Sequence, residues 1–429
     1  MNQLLTDLLQ KLDNGAQRRA NLEAYYHGRQ SLAFLSPEAR DAIGSRFGLM
    51  ASNIPRLAVT ALAERLRVTG FRAGGQTDLW HDWIGNDLDQ LAGVAHREAL
   101  TLGESYLIVW ADATGPRVTV ESADQVAVLR DPGTRQIVAA VKRWETKTTT
   151  EAVLYGPDEI VRLRANSTGA TTTGFHTVET IDNPFGIPPV VALRNSDRLT
   201  GDPASEIDDL VPLVDALNKT LADMLVTSEY LGRPRRWATG IELVEDDEGN
   251  PVNPIPDGNR TMTSENPDTK FGQLPAADLA SYESSVRVLL GQISAVSALP
   301  AHYLGILGGQ PPSADSLRAA EASLTARAEA RQATFGRAWE QVARLMVAAR
   351  TGADPTRLDV AVSWADAATR SVAQEADAVV KLYAAGLLPA TAALARLGYT
   401  DDQISEIRTA RRAEALDTVG TNLGALINQ

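Results

Sequence analysis

The chain contains no cysteine. A disulfide framework and thiolate-held metal sites are therefore excluded, and the composition is the one expected of a chain made in the cytosol. Lysine is scarce as well: six of the 41 basic residues are lysine, so nearly all positive charge is arginine, a coding bias without mechanistic weight. No apolar run approaches the roughly 18 residues of a membrane span, so no membrane partner is expected. The first twenty residues alternate charge with leucine at helical spacing and lack the apolar core and cleavage site of a signal peptide. Positive charge is also in deficit, 41 Lys and Arg against 54 Asp and Glu, a formal −13. A surface that grips nucleic acid broadly would be basic, so stable, extensive DNA binding is disfavoured. Neither Gly-x-Ser-x-Gly nor a phosphate-cradling G-x-x-x-x-G-K-[ST] is present. The five histidines (His27, His81, His96, His176 and His302) form no i,i+3 or i,i+4 pair, so no metal site, cofactor or catalytic set is expected. The carboxylate pairs Asp208/Asp209, Asp246/Asp247 and Asp401/Asp402 read as solvated charge.

What is present is an ordinary globular composition, 44% hydrophobic and 22% charged, in 429 residues. That length predicts two to four subdomains. The period is helical first. Leu4, Leu5, Leu8, Leu9 and Leu12 form one stripe that stops at Asn14-Gly15, and further helices are predicted over 17–26, 55–66 and 88–102. From Tyr106 the period changes to two. Short strands are predicted over 106–110, 117–121, 125–130, 137–144, 151–155, 159–164 and 190–193, with Asp131-Pro132-Gly133 as a turn and 183–189 as a rigid connector. No crossover helices separate these strands, so the sheet should be antiparallel. The fold class is α+β, predominantly α-helical.

Two long amphipathic stretches, 205–230 and 276–350, flank an acidic insert over 241–275 that is rich in Pro, Gly and Asn and cannot be a regular helix. Ser205 and Asp208 form a capping-box-like start, and Pro212 either kinks that helix or marks its true beginning. Ile207, Leu210, Val214, Leu217, Leu221 and Leu225 follow as a near-heptad seam. Helix resumes over 278–299, breaks in a Gly-rich loop over 304–312, and resumes from Ser313 to about 350. Three features suit a non-catalytic role. Arg233, Arg235 and Arg236 form a basic spot able to contact phosphates, or simply a basic helix terminus. Glu245, Asp246, Asp247 and Glu248 give the insert an acidic rim, either a docking face or a solvated loop. The Gly-rich loop either caps a helix pair or moves.

Several strings then resemble one family in order along the chain. They are Tyr25-Tyr26-His27-Gly28, Asn53-Ile54-Pro55-Arg56 with Leu66-Arg67-Val68-Thr69-Gly70-Phe71, Gly103-Glu104-Ser105-Tyr106-Leu107, and the Asn-Pro-Phe-Gly connector from Asn183 to Val191. Leu213-Val214-Asp215-Ala216-Leu217-Asn218-Lys219 continues the series with Asp223 and Glu229-Tyr230, whereas Ala314-Asp315-Ser316-Leu317-Arg318 departs from the family string. Together they resemble the portal proteins of tailed bacteriophages, the SPP1-like portal family, and the arginine-rich usage is similar to portals of actinobacterial siphophages.

That resemblance implies a non-enzymatic ring of twelve subunits at one capsid vertex, around a channel for packaging and ejecting double-stranded DNA. It implies a portal fold with a wing over 1–204, stem helix one over 205–240, a clip over 241–275 and stem helix two over 276–300. A tunnel loop over 301–312, a long wing helix with its following strand over 313–365, and C-terminal wing and crown helices over 366–429 complete it. His302, Tyr303, Leu304, Gly305, Ile306, Leu307, Gly308, Gly309 and Gln310 would face the channel. The clip acids would dock partners, and Ile255 and Met262 would bury only in the oligomer. Implied partners are further copies of the chain, double-stranded DNA passing through non-specifically, the terminase large subunit, a head-tail adaptor, and major capsid and scaffolding proteins. The implied location is the virion, after synthesis in the host cytoplasm. Another head-tail connector or scaffold component is the alternative, and a DNA-processing enzyme a weaker one.

Overall fold

The structure is a computed structural model that describes residues 2–33, 51–73, 79–112, 115–199, 201–232, 236–240, 244–245, 251–252, 266–273, 279–306, 313–368, 372–397, 399 and 403–412. The chain divides into two units, residues 1–367 and 368–429.

The first unit opens with α1 (Asn2–Asn14) and α2 (Ala16–His27). Gly28 ends α2 with φ of 66°, a left-handed cap that a side chain rarely adopts. α3 (Ile54–Ala63) starts on Pro55 but stops three residues earlier than the apolar spacing predicts. Tight bonds from Arg65 N to Leu62 O and Leu66 N to Ala63 O turn the chain there into β1 (Val68–Ala73). α4 (Leu79–Gly85) and α5 (Leu88–Leu102) follow. β1 and α4 carry too few residues for their periods to stand out in the sequence.

Strands β2 (Glu104–Asp112), β3 (Gly115–Ser122), β4 (Val126–Arg130), β5 (Ile137–Glu145), β6 (Thr150–Tyr155), β7 (Glu159–Ala165), β8 (His176–Asp182) and β9 (Val190–Arg194) form two antiparallel sheets. Their orders are β3-β2-β9 and β4-β5-β6-β7-β8. Sequence period finds seven of these strands and misses β8, which is exposed along its whole length and so has no apolar face to alternate. The Asp131 turn forms as expected, with the Asp131 carboxylate accepting from the backbone N–H groups of Gly133 and Thr134.

Beyond the sheets lie α6 (Val211–Gly232), β10 (Arg236–Thr239), β11 (Val244–Glu245), β12 (Pro251–Val252), β13 (Lys270–Gln273), α7 (Ala280–Ser297), α8 (Ala314–Thr351) and β14 (Val360–Trp364). β14 pairs with β1, so the unit is closed by segments almost three hundred residues apart. The Asp131 turn apart, most of this scaffold is held by two cores. In the smaller, Leu5, Leu8, Leu9 and Leu12 of α1 cover Val141, Leu154, Val161 and Leu163 of the five-stranded sheet. Each such leucine is worth about 1.5–3 kcal/mol of burial. In the larger, α5 and α8 pack on the three-stranded sheet around an aromatic centre of Phe71, Trp83, His96, Phe335, Trp339 and Trp364. Trp83 and Trp339 meet edge to face at 4.9 Å.

The second unit contains α9 (Val372–Ala384), α10 (Ala390–Arg396) and a helical segment over 403–412. Gly386, with φ of 70°, turns the chain between the first two. Among the described residues helix exceeds strand and the sheets are antiparallel, so the α+β class holds.

Candidate functional site

The helix–insert–helix feature is built on α6 and α7. Asp208 accepts from the Ser205 N–H at 2.8 Å, one arm of the expected capping box. The other arm differs: the Ser205 hydroxyl accepts from Ile207 N at 3.0 Å and donates to the Thr101 carbonyl. A single 3₁₀ turn, Asp208–Leu210, intervenes, and the α-helix proper starts at Val211 with Pro212 in its first turn, where a missing N–H costs nothing.

The seam is graded along its length. Ile207, Leu210, Val214 and Leu217 are buried, whereas Leu221 and Leu225 are half-buried. α6 is tied to its surroundings by Tyr25, whose hydroxyl donates to the Asp215 carboxylate at 2.9 Å, and by Asn218, which accepts from Ser52 N and Oγ at 2.8 Å. Burial, with Asp215 beside it, pushes the Tyr25 phenol up to about 12. Burial likewise raises the Asp215 carboxyl, against the pull of the Tyr25 hydrogen bond. Farther along, Thr227 and Tyr282 hydroxyls meet at 3.1 Å and join α6 to α7. α7 buries Ile293 but leaves Val288 65% exposed.

A charged clamp from the long helix fixes the base of both helices. Arg331, itself buried, reaches Glu206 at 2.8 Å and Asp197 at 3.0 Å. Arg327 reaches the other Glu206 oxygen at 3.2 Å and the carbonyls of Val296 at 3.0 Å and Ser297 at 3.1 Å. Glu206 precedes α6, and Val296 and Ser297 end α7, so two arginines one turn apart on α8 hold the start of one helix and the finish of the other. The Arg331 guanidinium draws the Asp197 carboxyl below its usual range, and Asp197 and Glu206 outweigh burial to raise Arg331. Sequence pattern sees these arginines only as polar positions on a helix.

The loop after α7 begins in an ordered way. Ala298 ends the helix in a left-handed conformation with φ of 59°. Residues Ala301–Leu304 make a 3₁₀ turn, and Gly305 follows with φ of 71°. His302 lies 3.6 Å from Glu321 of α8, which also pairs with Arg65 at 3.0 Å. Gly305 and Ile306 share a small cavity with Val286, Arg287 and Leu290 of α7. His302, Tyr303, Leu304, Gly305 and Ile306 thus sit against α7 and α8, whereas Leu307, Gly308, Gly309 and Gln310 lie outside the described residues.

Of the basic spot, Arg236 opens β10, and Arg233 and Arg235 lie outside the described residues. β10 pairs antiparallel with β13, bringing the two ends of the insert together, with Trp237 opposite Gly272. A β-carbon at Gly272 would collide with the Trp237 indole, so glycine fits that register. Of the acidic rim, Glu245 lies in the short pair β11–β12, and Asp246, Asp247 and Glu248 lie outside the described residues, as do Ile255 and Met262. The described parts of the site supply groups that position α6 and α7. Among the described residues no cluster of three or more His, Asp or Glu could hold a metal ion.

Comparison with known proteins agrees with this architecture. The portal protein of Mycobacterium phage L5 is 30% identical over 401 residues, covering 87% of this chain and 81% of its own length. That of Mycobacterium phage D29 is 31% identical over 409 residues with the same coverage. Among solved structures, a chain from the neck of an empty gene transfer agent particle superposes with a TM-score of 0.51 at 14% identity, over 89% of this chain and 93% of that one, a likeness of fold. Residues 17–416 match the family described as phage portal protein, SPP1 Gp6-like, and the chain belongs to that family of virion portal proteins.

Proposed function

We propose that this portal protein assembles as a closed ring at one capsid vertex and conducts double-stranded DNA without chemistry of its own. The observation that carries the reading is the graded burial of the α6–α7 pair. Its base is clamped by Arg327 and Arg331, while Leu221 and Leu225 remain half-buried and Val288 is exposed within a single chain. Apolar surface of this kind is completed by neighbouring copies in a symmetric assembly. α6 and α7 then serve as the stem, the insert as the clip, α8 as the long wing helix, and the segment from His302 to Gln310 as the tunnel loop. A net-acidic ring favours sliding, because each persistent phosphate contact adds salt-dependent affinity. Arg233, Arg235 and Arg236 are the proposed phosphate contacts, and Glu245, Asp246, Asp247 and Glu248 the proposed docking rim for the terminase large subunit and then a head-tail adaptor. Capsid and scaffolding proteins would meet the wing. Mass measurement and negative-stain images of the purified protein test this: closed rings with a central hole are expected, of about twelve subunits as the family implies. A monomer or open filament under all conditions would overturn it.

A further inference from the structure

On the first unit, away from the stem, α8 and strand β9 bound an open cavity of about 590 Å³. One wall is a single face of α8, with Arg337, Ala338, Gln341 and Arg344 at helical spacing. The opposite wall runs along β9 with Val190, Val191 and Arg194, and Ile187 and Ile137 extend the aliphatic floor. Arg130 lines the cavity as well. Arg130 and Arg194 also line an adjoining cavity of about 400 Å³ that carries Lys11, Arg18 and Arg19 together with Glu104 and Asp202, so the two form one trough.

Three observations set this trough apart. First, its main cavity is lined by four arginines and by no carboxylate, in a chain of net charge −13. Second, the arginines are underused. Arg130 donates to the Arg135 carbonyl at 3.2 Å and Arg194 to the Gly201 carbonyl, and neither has a carboxylate within ion-pair distance among the described residues. Burial lowers the Arg130 pKa against the opposing charge of Glu104, whose carboxylate accepts from the Tyr106 hydroxyl at 2.5 Å. Among the described residues Glu340 is the one carboxylate paired with the other two, at 3.1 Å from Arg337 and 3.9 Å from Arg344, and Gln341 accepts from Arg344 at 3.1 Å. Third, among the described residues β9 is the terminal strand of its sheet, paired with β2 on one side, and three of its residues together with Arg194 line the cavity.

We propose that this trough docks an acidic, extended peptide segment of a partner protein, which lies beside β9 and gives its carboxylates to Arg130, Arg194, Arg337 and Arg344. Main-chain pairing supplies affinity in such strand addition, and pockets for alternate side chains supply specificity. Here alternate residues face the floor of Ile137, Ile187 and Val190 or the guanidinium rim. Arginine forks match carboxylates bidentately. Nucleic acid fits less well, because the floor of the main cavity is aliphatic and offers no aromatic ring on which a base could stack.

Fluorescence anisotropy on the purified full-length chain tests the proposal, with a short labelled peptide of alternating glutamate and valine as probe. Binding is expected to weaken with salt, and a lysine–valine peptide should not bind. Arg337→Glu should weaken binding about tenfold or more, and Arg130→Gln with Arg194→Gln should abolish it. The Arg337 side chain is 83% exposed, so its reversal leaves the fold intact and remains decisive if the double variant does not fold. Absence of binding to the parent, unchanged affinity in Arg337→Glu, or stronger competition by an oligothymidylate than by unlabelled peptide would each overturn it.

Discussion

Lowering the pH should destabilise the first unit through His96. His96 is fully buried and accepts the Trp339 indole N–H on Nε2 at 2.8 Å, while stacked on Phe335 with ring centres 5.6 Å apart. Burial drives its pKa down from 6.5 to about 3, with the Leu66 backbone opposing and Arg97 adding slightly. The folded state therefore keeps the imidazole neutral, whereas the unfolded chain takes up a proton below its ordinary pKa. Stability is then intact above pH 6.5 and declines as the pH falls, down to the folded value near 3. Between pH 7 and pH 5 the loss is about 2 kcal/mol, of a total near 5 kcal/mol at the acid limit. Other groups also titrate in that window, so the assay is a comparison. His96→Gln places an amide oxygen where Nε2 stands and removes the titration. Urea unfolding followed by tryptophan fluorescence should show the parent–variant stability gap shifting by about 2 kcal/mol toward the variant from pH 7 to pH 5. An identical pH slope for both proteins would refute the reasoning.

Further outcomes follow from the clamp, a glycine and the loop. Arg331→Met strips the buried Glu206 of its main partner and should cost about 3 kcal/mol in urea unfolding, and Glu206→Gln in the same chain should recover part of that loss. Gly103→Ala should cost more than about 2 kcal/mol, since φ is +98° and the new β-carbon would lie 2.9 Å from the Pro203 carbonyl oxygen; a normal melting temperature would count against it. On the proposed function, deleting residues 307–312 should leave ring formation intact and reduce DNA packaged per particle. Loss of rings would make the loop a structural part.

How much was legible depended on whether a residue's role is local. The leucine stripe of α1 and the Asp131 turn are decided within a few residues, and sequence spacing found both; the Ser313 cap, whose hydroxyl accepts from Ser316 N at 3.2 Å, is equally local. β1 is not local: its partner β14 lies almost three hundred residues on, so no nearby pattern announces it. Arg327 and Arg331 illustrate the same limit at the site. Their spacing says only that they share a face of α8, and their meaning comes from Glu206 and the end of α7, which the fold brings to that face. His96 read as an unremarkable histidine, and only the convergence of α5, α8 and β14 turned it into a buried, neutral acceptor.

The exposed face of α7 makes the sharpest separation between folding and assembly. Ser281, Ser284, Ser285, Val288, Gly291 and Gln292 are all exposed at helical spacing, and a β-carbon added at Gly291 would meet open space. Small side chains on that face let a neighbouring helix come close, and Val288 at 65% exposure has little to lose in the single chain. Val288→Glu should therefore change the unfolding free energy of the chain by no more than about 0.5 kcal/mol, the usual range for a surface substitution. In a ring whose stem helices pack side by side, the same glutamate would be buried once per subunit without a partner, at a cost of several kcal/mol each time. Sedimentation of the variant should show a folded chain that fails to close rings at concentrations where the parent does. Normal rings from Val288→Glu would mean that this face of α7 looks onto solvent or the channel, and that subunits contact one another elsewhere.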